Sequence, residues 1–181
     1  MLAPFLEIES SANRFLAPQQ DAQKDLRALL DAVREAVERA VGWERGRPFV
    51  FQGETFSCDA LLGLLSYSYA RGIYASEDIE ASLAEDAIAQ DLCAGAMPDR
   101  NTMRRFRRVY REAVKRCLVH VLGQTGRVPA VSPGRSFFET PVSSGVPLVS
   151  WEGRGVADPT ESEAEERITR AVFMDGMAIA D

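Results

Sequence analysis

The chain has 181 residues, 46% of them hydrophobic, and carries a net charge of −6 from 21 Lys and Arg against 27 Asp and Glu. That apolar fraction can supply a core and argues against wholesale disorder, and no apolar run approaches the roughly 18 residues that a membrane span needs. The opening Met1-Leu2-Ala3-Pro4-Phe5-Leu6-Glu7 lacks a basic n-region and a sustained apolar stretch, so no secretory signal is expected, and Cys58, Cys93 and Cys117, outside CxxC spacing, fit free thiols in a reducing cytoplasm.

Residues 1–20 read as an arm with apolar anchors at Phe5, Leu6, Phe15 and Leu16. From Asp21 to Val41, the residues Leu26, Leu29, Leu30, Val33, Val37 and Val41 share one helical face, and Gly42 is the expected stop. Such a face serves either an intramolecular core or a dimer seam. Residues 42–56 form a connector with a β-prone patch at Phe49-Val50-Phe51. Ser57 or Asp59 can then cap a helix running to about Ala70. Its Leu61, Leu62, Leu64, Leu65, Tyr67 and Tyr69 leave almost no polar side, which predicts a buried central element ended by Arg71-Gly72.

Two short helices are expected next, one from near Ser76 with Ile79 and Leu83, the other over about 86–93 with Ile88 and Leu92, closed by Gly95. Asp99 or Asn101 is a good N-cap for a long helix ending near Gly123. Between residues 99 and 122 stand eight basic side chains and two acidic ones, a local charge of +6, against −8 before this run and −4 after it. Met103, Phe106, Tyr110, Val114, Cys117, Leu118 and Val121 make an inward stripe. Arg104, Arg108, Arg111 and Lys115 make an outward basic one, flanked by Arg105, Arg107 and Arg116. An ordinary solvated face mixes signs. Like charges four apart on a helix repel by a few tenths of a kcal/mol per pair, so this run calls for a compensating anion. A polyanion, and DNA first among polyanions, is the expected partner. A short helix, a tight turn and a basic helix with an apolar back also make a helix-turn-helix pattern.

Residues 123–159 are rich in Pro and Gly and read as a linker or extended arm, with Phe137, Phe138 and Trp151 as docking residues. Thr160 and Glu163 form a capping box for a last helix with the stripe Ala164, Ile168, Ala171 and Val172. The acidic run Glu161, Glu163, Glu165 and Glu166 is accounted for by the helix dipole. Cys117 and His120 lie three apart, but zinc normally takes four ligands and there is one His in the chain, so Cys117 is read as a core thiol. No phosphate-binding glycine loop is present, and neither metal nor cofactor is expected.

From about Glu54 to Leu122 the chain resembles the N-terminal domain of bacterial insertion-sequence transposases of the InsH type. The residues that carry the resemblance are Tyr69-Ala70-Arg71-Gly72-Ile73-Tyr74-Ala75-Ser76, Ile79-Glu80, Asp86, Leu92-Cys93-Ala94-Gly95, Pro98-Asp99-Arg100-Asn101-Thr102 and Arg105-Phe106-Arg107. The resemblance implies an all-helical module that engages transposon-end DNA, with Asn101, Thr102, Arg104, Arg105, Arg107 and Arg108 at or near it. Arg111 and Lys115 extend the set along the helix. Where the family commonly has aromatic and basic residues, this chain has Ile88-Ala89-Gln90. Such transposases also carry an Asp-Asp-Glu catalytic set holding Mg²⁺. Asp175-Gly176 is similar to the surroundings of its first Asp, but with 59 residues after the basic helix no complete set is expected and Asp175 is not read as a metal ligand.

The expected fold is all-α. It comprises an N-terminal arm and amphipathic helix (1–53), a helical DNA-binding domain with a helix-turn-helix-like unit (54–122), a Pro/Gly-rich arm (123–159) and a C-terminal helix (160–181). The expected function is non-catalytic binding of double-stranded DNA, at a transposon end or an operator, in the cytoplasm at the bacterial nucleoid. The alternatives are an interaction or oligomerisation protein of transposase origin, and the DNA-binding part of a split transposase. A homodimer or a separate catalytic subunit would be the further partner.

Overall fold

The computed structural model describes residues 9–40, 46–125 and 158–177, with side chains from residue 23 onward in the first stretch. The described chain is mostly helical. Helix α1 (Glu9–Ala40) starts well before the expected Asp21, so residues 9–20 continue the helix instead of forming an arm. No glycine interrupts that stretch, and Pro18 removes one backbone donor without ending the helix. Leu29, Ala32, Val33 and Ala36 are buried, and α1 packs chiefly on α6 (Arg111–Thr125) and on α2 (Cys58–Ala70). The apolar face is therefore core. Val41 and Gly42 lie outside the described residues, as do Phe5 and Leu6.

The expected β-prone patch is strand β1 (Pro48–Phe51), paired antiparallel with β2 (Glu54–Ser57), which the sequence did not announce. The two-residue turn between them, Gln52-Gly53, has φ of 51° and 86°, the doubly left-handed geometry of tight hairpins. Phe49 faces Phe56 across the ladder, and both are buried.

Helix α2 begins at the expected cap: the Ser57 side chain accepts the Ala60 N–H at 3.4 Å. Every residue from Leu61 to Ala70 is buried. Arg71 closes the helix, its N–H donating to the Tyr67 carbonyl at 3.1 Å. Helices α3 (Ser76–Leu83) and α4 (Ala87–Leu92) follow. Asp86 caps α4 by accepting the Ile88 and Ala89 N–H groups, and it also receives the Arg71 guanidinium and the Tyr67 hydroxyl. One carboxylate thus ties the end of α2 to the start of α4. Ala94 and Gly95, both at positive φ, reverse the chain toward α5 (Arg100–Val109). Asp99 is the N-cap of α5, accepting the Thr102 N–H at 2.7 Å.

The expected long basic helix is two helices. Tyr110, at φ −112° and ψ 31°, ends α5, and α6 restarts at Arg111. Neither Gly nor Pro marks the break. Its environment is aromatic: the Tyr110 ring lies 4.8 Å from Phe106 and 6.1 Å from Phe49, and Phe49 meets Phe106 edge-on at 5.3 Å. Docking the hairpin on this pair fixes Tyr110 where a continuous helix would carry it past.

Helix α7 (Pro159–Met177) packs on α6 and α3. Its first turn is capped by Asp158, whose Oδ1 accepts the Thr160 N–H at 3.0 Å, so the expected cap residue Thr160 sits inside the helix. Ala164, Ile168 and Ala171 are buried as expected, whereas Val172 is exposed. Arg167 reaches from α7 to the open end of α2 and donates to the carbonyls of Tyr69 and Ala70 at 2.7 and 3.0 Å. The core runs without interruption from Leu29 to Ala171, and the 53/54 boundary falls in the hairpin turn. The Pro/Gly-rich residues 126–157 lie outside the described residues. No described helix is long and apolar enough to cross a membrane.

Candidate nucleic-acid interface

The basic run separates into a covered part and an open part, and α7 does the covering. Arg107, expected at the DNA, is buried. Its guanidinium donates to the Tyr69 hydroxyl at 2.7 Å and to the Asp175 carboxylate. Asp175 also accepts from the Ser76 N–H and hydroxyl, each at 2.8 Å. Four elements (α2, α3, α5 and α7) therefore converge on one ion pair. Arg104 is mostly covered, with Nε 3.5 Å from Asp175 Oδ1. Arg111 pairs with Glu165, and Lys115 reaches Glu161 at 2.8 Å and Glu165 at 3.7 Å.

This corrects two expectations. The outward stripe Arg104–Arg108–Arg111–Lys115 is not open along its length, because Asp175, Glu165 and Glu161 lie over all but Arg108. Those acidic residues were assigned to the helix dipole or to no role, and the structure makes three of them counterions of the basic run. Thr102 is buried too, so neither it nor Arg107 can meet a ligand at the surface in this arrangement.

What stays open is the outer side of α5. Asn101, Arg105 and Arg108 are exposed, at spacings of four and three that put them on one face. Arg105 and Arg108 have no ion pair or hydrogen bond among the described residues. Arg100, also exposed, lies 3.4 Å from Glu77, and exposed Arg116 donates to the Glu112 carbonyl. The sequence signal that could have exposed the α7 pairing is its spacing: Glu161 and Glu165 are four apart, as are Arg111 and Lys115.

Among the described residues, no cluster of three His, Cys, Asp or Glu could hold a metal. Cys93 and Cys117 are buried free thiols, and burial pushes them up to about 11 and about 12. His120 faces Glu35 at 3.8 Å and Gln124 at 3.3 Å.

The carboxylates on α7 set an acid limit for the fold. Burial pushes the Asp175 carboxyl up, but hydrogen bonds from Arg107 and Ser76 outweigh it and hold it below the usual range. The Arg111 hydrogen bond likewise lowers Glu165. Both groups bind protons less readily folded than unfolded, so the stability they contribute is complete above the unfolded values of about 4 and is lost as pH falls through the lower folded ones. Urea midpoints should be flat between about pH 5 and about pH 8 and decline below about pH 4. Glu165→Gln should remove its share of that decline.

Comparison of the chain with protein-family models, curated proteins and solved structures gave no match. The transposase resemblance therefore stands on the residues quoted for it.

Proposed function

We propose that this chain is a non-catalytic DNA-binding module of transposase type, meeting the nucleic-acid backbone through the outer face of α5. The observation that carries the reading is the pair of exposed guanidinium groups of Arg105 and Arg108, unmatched among the described residues, on a chain of net charge −6. Within the same run the fold supplies carboxylates to Arg100, Arg104, Arg107, Arg111 and Lys115, and among the described residues gives none to these two or to Arg116. Arg116 extends the open surface, and exposed Asn101 adds a side-chain amide at the helix start. In this reading α4 and α5 form the helix-turn-helix-like unit, α5 approaches the major groove, and the target is a transposon end or an operator in the bacterial nucleoid. The alternative of the same origin is the DNA-binding part of a split transposase.

Three open cations imply a modest salt dependence, with log K falling against log salt at a slope of roughly −2 to −3. Fluorescence anisotropy with a labelled duplex measures this. Arg105→Ala combined with Arg108→Ala should weaken binding at least about tenfold at low salt and reduce the slope by about 2. A slope near zero, or a double variant that binds as well as the parent, rejects the reading.

A second reading is favoured by one feature. Phe173 and Met177, four apart on α7, are 64% and 60% exposed, and Met174 and Val172 are exposed beside them. An apolar patch of this kind marks an interaction surface, as in a homodimer or a complex with a catalytic subunit. Sedimentation showing a defined oligomer, together with no DNA binding at low salt, selects this reading over the first.

A further inference from the structure

We propose that the arginine-lined cavity between α5, the start of α6 and the end of α7 is a binding site for a phosphate group. This deepens the DNA-binding reading and rests on it for the source of the phosphate. The cavity has a volume of about 360 Å³ and is lined by Arg104, Arg107, Arg108, Arg111, Asp175 and Gly176, among others. That volume admits a phosphodiester with its flanking sugar atoms.

The charges around the cavity are unequal. Four guanidinium groups face one carboxylate, and Asp175 is already engaged by Arg107 and by both donors of Ser76. Arg111 has Glu165 on its far side. Two groups remain. Arg108 is unmatched, and Arg104 Nε is buried without a hydrogen bond, its distance of 3.5 Å to Asp175 Oδ1 notwithstanding. Arg104 keeps its charge pairing with Asp175, so the donors open to an incoming group are those of Arg108. A tetrahedral oxyanion directs its oxygens so that guanidinium forks on different sides can share it, and a phosphate group, whether a doubly charged monoester or the singly charged diester of a nucleic-acid backbone, has that shape. The cavity is open to receive it. Gly176 presents no side chain there, and a Cβ at that position would meet nothing within 4 Å. In this arrangement the Arg107–Asp175 pair is a fixed floor, Arg104 beside Asp175 adds positive charge to the wall, and Arg108 supplies the free donors.

The test uses the full chain and inorganic phosphate, compared with chloride at equal ionic strength, with calorimetric affinity and thermal midpoint as readouts. Arg108→Gln removes an exposed, unpaired group and should leave the fold intact. Gly176→Asp introduces a carboxylate in open space at the cavity. Arg105→Gln, on the same outer face but outside the cavity, is the control. Phosphate should raise the midpoint of the parent above that in chloride, Arg108→Gln and Gly176→Asp should each weaken phosphate binding roughly tenfold, and Arg105→Gln should bind phosphate like the parent. No phosphate-specific effect, or equal phosphate affinity in the parent and both cavity variants, overturns the proposal. The same proteins are then titrated with a DNA duplex. If phosphate binds in the cavity and the duplex does not bind, the site stands with a free phosphate ester as its ligand and the DNA reading falls. If the duplex binds and Arg105→Gln alone weakens it, the DNA reading stands and the cavity proposal falls.

Discussion

Arg107→Ala should cost about 3–5 kcal/mol of folding stability, the range found when one partner of a buried ion pair is removed. The Arg107 and Asp175 side chains are only 5% and 6% exposed, so solvent cannot take the place of the lost guanidinium. Asp175 would keep its two donors from Ser76 but lose its main counter-charge, and the Tyr69 hydroxyl would lose its donor. Because Tyr69, Ser76, Arg107 and Asp175 come from four helices, the damage should be global: one cooperative urea transition displaced to lower midpoint, not a local fraying of α7. Adding Asp175→Asn to Arg107→Ala should restore part of the loss, since it removes the stranded charge. A loss under about 1 kcal/mol would mean that water reaches this pair, and α7 could then not be a firmly docked element.

The second large effect is a gain. Replacing both Glu161 and Glu165 by Gln should strengthen DNA binding and steepen its salt dependence by about 1 to 2 in slope, as Arg111 and Lys115 become available to phosphates. In the parent these carboxylates pair with Arg111 and Lys115, and in the proposed binding mode a nucleic-acid backbone would compete with them. The pairs are partly exposed, so their removal should change folding stability little. Anisotropy titrations at three or more salt concentrations separate the two contributions. An unchanged slope would place Arg111 and Lys115 outside the contact surface, and a weakened affinity would contradict the competition altogether.

The parts of the fold that could be read from the sequence are those fixed by neighbours along the chain. Ser57 and Asp99 act within three residues of themselves, so the starts of α2 and α5 were visible as caps. The uniform apolarity of Leu61 to Tyr69 announced burial on every side. The break at Tyr110 was not visible, because its cause is a contact with Phe49, sixty-one positions away in the chain, and not a helix-breaking residue. The same holds for the interface. Asp175 stands 68 residues from Arg107 and Glu165 stands 54 from Arg111. Charge density alone could locate the basic run, but which of its members face solvent depended on where α7 came to rest. Arg107 reads as a surface residue for that reason, and Arg105 and Arg108 are among the members that stay exposed.

The interruption at Tyr110 bears on how much of a duplex one molecule can inspect. Ten residues of helix extend about 15 Å, which corresponds to four or five steps of base pairs at 3.4 Å each. A footprint that short recurs by chance throughout any genome. If α5 is the reading element, a unique address therefore demands a repeated arrangement: paired half-sites occupied by two copies, or a companion subunit that inspects the adjoining bases.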